Sequence, residues 1–265
     1  MEKKYCAIYL SGTGNTKFCV SKLIKLLDES APIVAIEDDV VIQTVKTYEN
    51  IIFGYPVQFS NAPKMVQDFI LENKDLWRGK KVLCVATMGA FSGDGAGCAA
   101  RLLKKCGAFI LGGLHLKMPD SVCDSKLLKK SDEEKIQIIR HAEEKIERLV
   151  LQIKSGKFPQ EGLSIFAHVA GLFGQRLWFY NKTKHYSGKL KIDQTLCVGC
   201  GNCVHICPMK NISLEGGDIS TRGKCTMCYR CISLCPKKAI TLVGKRIYQQ
   251  YRAENYTNKL IISDR

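Results

Sequence analysis

The residues best suited to metal or redox chemistry are eight cysteines between positions 197 and 235. They form two runs of identical spacing, C-x2-C-x2-C-x3-C-P, which end at Pro208 and Pro236. Three cysteines spaced three apart let one tight loop wrap a cluster, because their thiolates converge on three irons. The spacing therefore predicts two [4Fe–4S] clusters. The predicted metal ligands are Cys197, Cys200, Cys203, Cys207, Cys225, Cys228, Cys231 and Cys235.

Zinc and disulfides explain these cysteines less well. A Zn²⁺ site built from Cys-x2-Cys pairs would leave the third cysteine of each triplet unused. Disulfides need an oxidising compartment, and no secretory signal opens the chain, so a cytoplasmic protein is expected. We expect the six other cysteines to be small buried hydrophobes. They are Cys6, Cys19, Cys84, Cys98, Cys106 and Cys123.

The region 189–245 resembles the bacterial-type two-cluster ferredoxins. In that family the fourth cysteine of each run, followed by proline, ligates the other cluster. The resemblance implies one cluster on Cys197, Cys200, Cys203 and Cys235, and a second on Cys225, Cys228, Cys231 and Cys207. An internal repeat agrees, since Ile212-Ser-Leu214 after the first run matches Ile240-Thr-Leu242 after the second.

A second candidate site lies near the N-terminus, at Ser11-Gly-Thr-Gly-Asn-Thr16. An apolar run at 4–10 precedes this loop, and a helical apolar pattern follows it. Such a loop binds phosphate, because backbone N–H groups and the helix dipole face the anion. It is neither a Walker loop nor G-x-G-x-x-G. A glycine-rich turn that only caps the helix is the plainer alternative.

The same residues resemble the phosphate loop of flavodoxins, which implies flavin mononucleotide (FMN) as a cofactor. Alternating strands and helices predict βαβ units and a parallel sheet. The expected fold is α/β, a flavodoxin-like doubly wound sheet of five parallel strands in the order 2-1-3-4-5, followed by a small α+β ferredoxin domain. Strands are predicted at 4–10, 32–36, 50–55, 81–87 and 108–118. Helices are predicted at 62–76, at 98–106 and at 132–155, the last capped by Ser131 with Glu134.

Ligands of this fold lie at the carboxyl ends of the strands, so three loops are expected to meet on FMN. Loop 11–16 would take the phosphate, while loops 55–61 and 87–95 would bracket the ring. The expected FMN-binding residues are Ser11, Gly12, Thr13, Gly14, Asn15, Thr16, Pro56, Val57, Gln58, Phe59, Thr87, Met88, Gly89, Ala90, Phe91, Gly93 and Asp94.

The aromatic residue that would stack on the flavin ring is left open. Tyr55, Phe59 and Phe91 are the candidates, and each could instead be a core residue. Gln58 stands where an aromatic is usual in the family. Asp94 could instead be a turn former.

The expected domains are 1–156 for FMN, 157–188 as a linker, 189–245 for the clusters and 246–265 as a tail. Apolar residues recur at helical spacing in the linker, at Phe166, Val169, Ala170, Phe173, Leu177 and Tyr180. We expect this stripe to dock the two domains, since an apolar stripe usually faces a core. A membrane-surface helix, helped by Arg176, Lys182 and Lys184, is the alternative. Trp178 and His185 are expected to be structural.

The chain carries a formal charge of +15, and residues 161–265 hold 16 Lys and Arg against 6 Asp and Glu. A basic surface favours an acidic redox protein or reductase as partner, although it could be only a solvated face. Nucleic-acid binding is not expected, because no recognition motif accompanies the charge. No run of 18 apolar residues predicts a transmembrane segment. The oligomeric state is not indicated.

The two halves together resemble the flavodoxin–ferredoxin fusion proteins of anaerobes. This resemblance implies electron transfer between FMN, two [4Fe–4S] clusters and an external redox partner. The alternative is an FMN-dependent reductase of a small molecule, fed with electrons through the ferredoxin domain. No histidine lies in 11–16, 55–61 or 87–97, so no catalytic residue is predicted and a carrier is favoured.

Overall fold

A computed structural model of the chain describes residues 4–90, 92–177 and 186–263. Its larger part is a parallel sheet of five strands in the order β2-β1-β3-β4-β5, which confirms the predicted topology. The strands are β1 (Tyr5–Tyr9), β2 (Ile33–Ala35), β3 (Asn50–Pro56), β4 (Lys81–Met88) and β5 (Phe109–Lys117). The register places Ile8 beside Phe53 and Phe53 beside Cys84.

Helices cover both faces of this sheet, which is why its strands are apolar on both sides. One face packs on α1 (Asn15–Leu27) and α5 (Asp132–Lys154). The other packs on α2 (Val41–Thr47), α3 (Lys64–Glu72) and α4 (Gly95–Lys105). Ser131 and Glu134 form the predicted capping box of α5.

Two helical details differ from the sequence prediction. Helix α2 was not predicted. The helix predicted at 62–76 ends at Glu72 and is followed by a 3₁₀ turn, Lys74–Trp77. This turn places the fully buried Trp77 against Phe53, with ring centroids 5.8 Å apart.

The cysteine-rich part forms a small α+β unit. Strand β6 (Lys191–Ile192) pairs with β9 (Ile240–Thr241), and β7 (Ile212–Glu215) pairs with β8 (Asp218–Thr221), both antiparallel. The short helices α7 (Asn202–His205) and α8 (Arg230–Leu234) each carry one cysteine. The apolar core of the unit includes the buried side chains of Ile212, Ile232 and Ile240.

A buried carboxylate, Asp124, joins the two units. It lies in the loop after β5 and is 1% exposed. Its Oδ2 accepts hydrogen bonds from the backbone N–H groups of Leu242, Val243 and Gly244, at 2.7, 2.8 and 3.0 Å. Its Oδ1 accepts one from the Tyr229 hydroxyl at 2.9 Å. Four donors from the cysteine-rich unit thus converge on one side chain of the sheet unit.

The linker also packs on the sheet unit, but not through its apolar stripe. Helix α6 (Ile165–Gly171) continues as a π-helical segment, Leu172–Arg176. The side facing the sheet unit carries Gly171, which meets Gly93, and the polar residues His168 and Arg176, which bind Asp94. Ile165, Phe166, Val169, Phe173 and Leu177 are exposed.

The expectation that this stripe makes the docking contact is therefore corrected. The buried carboxylate of Asp94 requires cationic partners, and this requirement turns the polar side of the helix inward. Tyr180, Trp178, Lys182, Lys184 and His185 lie outside the described residues.

The tail, whose structure the sequence did not indicate, returns to the sheet unit. Tyr251, Ala253 and Tyr256 are buried in the core that contains α1 and α5. Helix α9 (Glu254–Ser263) follows and lies beside α5. The Tyr256 hydroxyl and Lys135 Nζ lie 3.1 Å apart, so the tail is tied to α5 by polar as well as apolar contacts.

We expect Asp124→Ala to loosen the junction between the two units. The substitution leaves four donors without their acceptor, and each bond to a charged group contributes about 1.5–3 kcal/mol. Amide hydrogen exchange of residues 242–244 should speed up by tenfold or more, while β1 stays protected. Asp28→Ala is the matched control, because the side chain of that partly exposed aspartate binds only Ser30 among the contacts described. Unchanged protection at 242–244 would refute the role assigned to Asp124.

Candidate functional site

The three loops predicted to meet do border one cleft, at the carboxyl ends of the strands. The cleft has a volume of about 380 Å³, within the range of small-molecule sites. The predicted residues that line it are Ser11, Gly12, Thr13, Asn15, Thr16, Pro56, Val57, Gln58, Phe59, Thr87, Met88, Gly89 and Ala90. Gly14 lines a neighbouring cavity instead.

Two further segments, which were not predicted from the sequence, also line the cleft. One follows β5 and the other belongs to the second cysteine run. The added residues are Met118, Pro119, Asp120, Ser121, Val122, Leu128, Met227, Cys228 and Tyr229. The loop after β5 could have been anticipated, because it leaves the same edge of the sheet as the predicted loops. The cysteine-run residues had no such local signal.

The loop 11–16 has backbone features that suit an anion. Gly14 adopts a left-handed conformation at φ 95°, which glycine tolerates, and α1 begins at the next residue. Gly14 supplies no side-chain cap, and the Ser11 hydroxyl accepts a hydrogen bond from the Lys17 N–H of the first turn at 3.3 Å. The first N–H groups of a helix have no partner within the helix, so those of Asn15 and Thr16 are available to an anion. The hydroxyls of Thr13 and Thr16 pair with Ser121 and Thr87, at 2.7 and 2.8 Å. A phosphate fits this arrangement, with the backbone as the main donor.

The tail braces this loop from behind. The Tyr251 hydroxyl donates to Asn15 Oδ1 at 2.6 Å, and the Ala253 N–H donates to the Thr13 carbonyl at 2.8 Å. Asn15 in turn donates to the Pro119 carbonyl at 2.7 Å. A Cβ on Gly14 would lie 3.2 Å from the Ala253 Cβ. The anion-binding loop is therefore held by contacts from the far end of the described chain.

The aromatic residues considered for stacking on the flavin ring differ in their position relative to the cleft. Tyr55 is fully buried away from the cleft, and its hydroxyl donates to the Gly95 carbonyl at 2.6 Å. Phe59 lines the cleft and stacks on Tyr186, with ring centroids 5.7 Å apart. Phe91 lies outside the described residues. Tyr229 adds an aromatic wall that the sequence prediction did not contain.

Gly93 and Asp94 are not among the described residues that line the cleft. Asp94 is fully buried and binds Arg101, Arg176 and His168. Arg176 also donates to the Ser60 carbonyl at 2.9 Å. Asp94 therefore anchors the linker helix at the end of the loop, where the prediction had placed it beside a ligand.

Asp120 is an acidic group within the cleft. A Cβ on Gly89 would lie only 2.5 Å from Asp120 Oδ2, so the Asp120 side chain lies directly against the loop after β4. Burial raises the pKa of Asp120, although N–H groups of Val122 and Ser121 act in the opposite direction. A carboxyl group of this kind holds a proton to higher pH than an exposed one.

The first predicted set of cysteines comes together around one cavity. Cys197, Cys200, Cys203 and Cys235 line it. Burial raises the pKa of Cys203, and the other three thiols of the set raise it further. Thiolates that repel one another in this way fit a cationic iron core, which would offset their charge. The Ala239 N–H donates to Cys235 Sγ at 3.3 Å.

The thiols of the second predicted set also influence one another. Burial raises the pKa of Cys231, and neighbouring thiols of Cys228, Cys225 and Cys207 add to the effect. The Asn211 N–H donates to Cys207 Sγ at 3.4 Å, as the Ala239 N–H does in the first set. Cys203 also contributes to the shift of Cys231. The two sets are therefore neighbours, each with the fourth cysteine of the other run.

The second set also touches the cleft. Cys228 lines the cleft, and a Cβ on Gly12 would lie 1.9 Å from the Cys228 carbonyl oxygen. Gln58 Nε2 donates to the carbonyls of Thr226 and Met227, at 3.0 and 3.3 Å. Arg230 binds Glu37 and donates to the Ser11 carbonyl at 2.7 Å. The anion-binding loop and the cysteine loop are thus in direct contact.

The fold and the two sites define an electron-transfer protein that combines flavin and iron–sulfur domains. Residues 6–107 match the family model described as a flavodoxin domain, and residues 189–236 match the 4Fe-4S dicluster domain. The chain is accordingly a flavodoxin–ferredoxin fusion.

Solved structures similar to this chain include several flavodoxins. A flavodoxin from the domain Archaea is 18% identical, with 57% of this chain and 96% of that chain covered and a TM-score of 0.42. Flavodoxin 2 from Bacillus cereus is 20% identical, with 57% and 98% covered and a TM-score of 0.41. Fusobacterium nucleatum flavodoxin bound to flavin mononucleotide is 17% identical, with 57% and 97% covered and a TM-score of 0.40. No curated protein matches the chain.

We expect Tyr251→Phe to weaken FMN binding by about two- to tenfold, the effect of one neutral hydrogen bond. The variant removes the donor that fixes Asn15 in the phosphate loop. Riboflavin, which has no phosphate, should bind equally to both proteins. Quenching of flavin fluorescence during titration of the flavin-free protein measures both affinities. Tyr248→Phe, at a tyrosine that stacks under Arg246, is the control. Equal losses for FMN and riboflavin would contradict a phosphate-specific role.

Proposed function

We propose that the chain carries electrons between FMN in the cleft and two [4Fe–4S] clusters held by the two cysteine sets. One observation carries this proposal: Cys228, a predicted ligand in the second set, lines the cleft. A cofactor in the cleft and a cluster on Cys228 would have no protein layer between them. The FMN would couple one-electron and two-electron steps, while each cluster moves single electrons.

The two cysteine sets suggest an order for the electron path. The second set contacts the flavin cleft through Cys228, whereas Cys200 of the first set is exposed. The cluster on the second set would be the inner one and the cluster on the first set the outer one. Electrons would then leave or enter at the surface near Cys200.

The surface around Cys200 has the features of a docking site for an acidic redox protein. Leu196 and Val198 are 49% and 58% exposed there. Lys237 lines the same cavity as Cys200 and is exposed. An apolar centre with a basic neighbour suits transient contact with a negatively charged partner.

The side chains of the cleft would position the flavin and manage its proton. Loop 11–16 would bind the phosphate, and Phe59 and Tyr229 supply aromatic walls for the ring. Burial raises the pKa of the Asp120 carboxyl group, which would favour proton exchange between this group and a flavin in the cleft.

A reductase of a small molecule is the second candidate function, and a second cavity favours it. This cavity, of about 590 Å³, shares Gln58, Phe59 and Met227 with the flavin cleft. It also reaches Cys225 of the inner cluster set. A substrate in this cavity would lie one side chain away from both cofactors.

We expect Cys200→Ala to lower the iron and acid-labile sulfide of the anaerobically purified protein from about eight to about four per chain. FMN should stay at about one per chain, because Cys200 is remote from the cleft residues. Cys106→Ala, outside both sets, should keep the full iron content. Zinc without sulfide in the parent protein would overturn the cluster assignment, and loss of FMN with retained iron would overturn the division of the sites.

We also expect the flavin to be reduced through the clusters. Stopped-flow mixing with a strong one-electron reductant should bleach the cluster absorbance before flavin absorbance falls. In Cys200→Ala the flavin phase should slow by tenfold or more, because the outer entry point is lost. An unchanged flavin rate would show that electrons reach FMN directly and not through the outer cluster. Addition of candidate small-molecule acceptors would then distinguish a carrier from a reductase.

A further inference from the structure

The linker helix presents an apolar face that no described part of the chain covers. Ile165, Phe166, Val169, Phe173 and Leu177 are 80%, 87%, 46%, 69% and 54% exposed. From Phe166 onward their successive spacings are three, four and four residues, which puts them along one side of the helix, and Ile165 adjoins Phe166 at its start. Isolated exposed apolar side chains are ordinary, but a contiguous row on one helix indicates a surface that binds something.

The orientation of this face is fixed by the opposite side of the helix. Asp94 is fully buried and binds His168 and Arg176, so the helix cannot turn without breaking these bonds. Gly171 reinforces this constraint, since a Cβ there would lie 2.3 Å from Asp94 Oδ1. The contacts of Asp94 with His168 and Arg176 therefore keep the apolar row facing outward, so its exposure follows from the fold.

The charge around the helix indicates which partner fits. Residues 162–192 contain five Lys and Arg and no Asp or Glu. Arg176 shares a cavity with Tyr186, Lys64 and Lys224, and Lys189 lies over the Tyr186 ring. Lys64, Lys189 and Lys224 are exposed. Exposed lysines and an aromatic ring thus surround the cavity that Arg176 enters near the C-terminal end of the helix, although Lys64 also pairs with Asp68.

We propose that this face docks the protein on a membrane surface that contains anionic lipid. An apolar helix face flanked by basic residues lies in the interface plane, with its large side chains among the acyl chains. Lysines near the surface add attraction to anionic headgroups. In the described ranges no helix is both long and apolar enough to cross a membrane. In the contact that we propose, the helix lies on the membrane surface.

The proposal is independent of which cofactors the protein holds. It would place the redox domains against a bilayer, where partners embedded in the membrane are within reach. Trp178, Phe179 and Tyr180 follow in the sequence and lie outside the described residues, so the proposal rests on 165–177 and on the lysines near Tyr186.

Vesicle co-sedimentation of the full-length, cofactor-loaded protein tests the proposal. Vesicles of equal phosphatidylcholine and phosphatidylglycerol should sediment the protein at low salt, and pure phosphatidylcholine should sediment it less. The double variant Phe166→Ser/Phe173→Ser should lower the partition coefficient by about tenfold or more. Both side chains are exposed, so the variant should keep its iron and flavin content.

The matched control is Leu127→Ser/Leu151→Ser, at leucines that are 94% and 73% exposed but lie away from the linker helix. It should bind vesicles as the parent protein does. Failure of the parent protein to bind anionic vesicles, or equal binding by the Phe166/Phe173 variant, would overturn the proposal. So would concentration-dependent dimerisation that the Phe166/Phe173 variant abolishes, because the face would then belong to a second copy of the chain.

Discussion

The contact between Gly12 and the Cys228 carbonyl is the constraint on which the functional arrangement depends. A Cβ at position 12 would lie 1.9 Å from that oxygen, so only glycine allows the two loops to approach. One loop is the proposed phosphate site and the other the proposed inner cluster site. Gln58, Arg230 and Asp124 hold the units on either side of this contact. The separation of the two loops is thereby set by the backbone itself.

Buried carboxylates organise the rest of the assembly. Asp124 gathers backbone N–H groups of the cysteine-rich unit, while Asp94 gathers the cationic side chains of the linker. A buried charge must be paired, so each carboxylate specifies one orientation of its partner. Both lie in loops at the carboxyl ends of strands, next to the cleft. Polar contacts thus attach the linker helix to the sheet unit, where the sequence predicted apolar ones. The apolar side of the helix consequently faces outward.

The sequence predicted what depends on local spacing. The two cysteine runs and the apolar patterns of β1 to β5 each involve residues close together in the sequence. The strand order then follows from the fold class that these patterns indicate. The sequence did not predict the place of Tyr55, Asp94 or Tyr251. Tyr55 and Asp94 sit in loops or strand ends whose residues can face either way, and only packing against α4 and the linker helix decides which.

The docking face of the linker was misjudged for a related reason. An apolar stripe usually faces a core, but a buried carboxylate elsewhere in the chain can override that preference. The tail contacts were not predictable because they join residues far apart in sequence. Tyr251 and Asn15, for example, are separated by 236 positions.

That separation has a consequence for how the protein is made. The first unit of the chain is completed by residues 251–256, which are synthesised after the entire cysteine-rich unit. Domains usually fold as they emerge from the ribosome, N-terminal first. Here the apolar surface along α1 and α5 would stay uncovered in the nascent chain until the tail had been synthesised. Contacts between residues far apart in sequence form slowly. Apolar surface of the sheet unit would therefore stay exposed until the tail packs, and flavin would bind only after folding is complete.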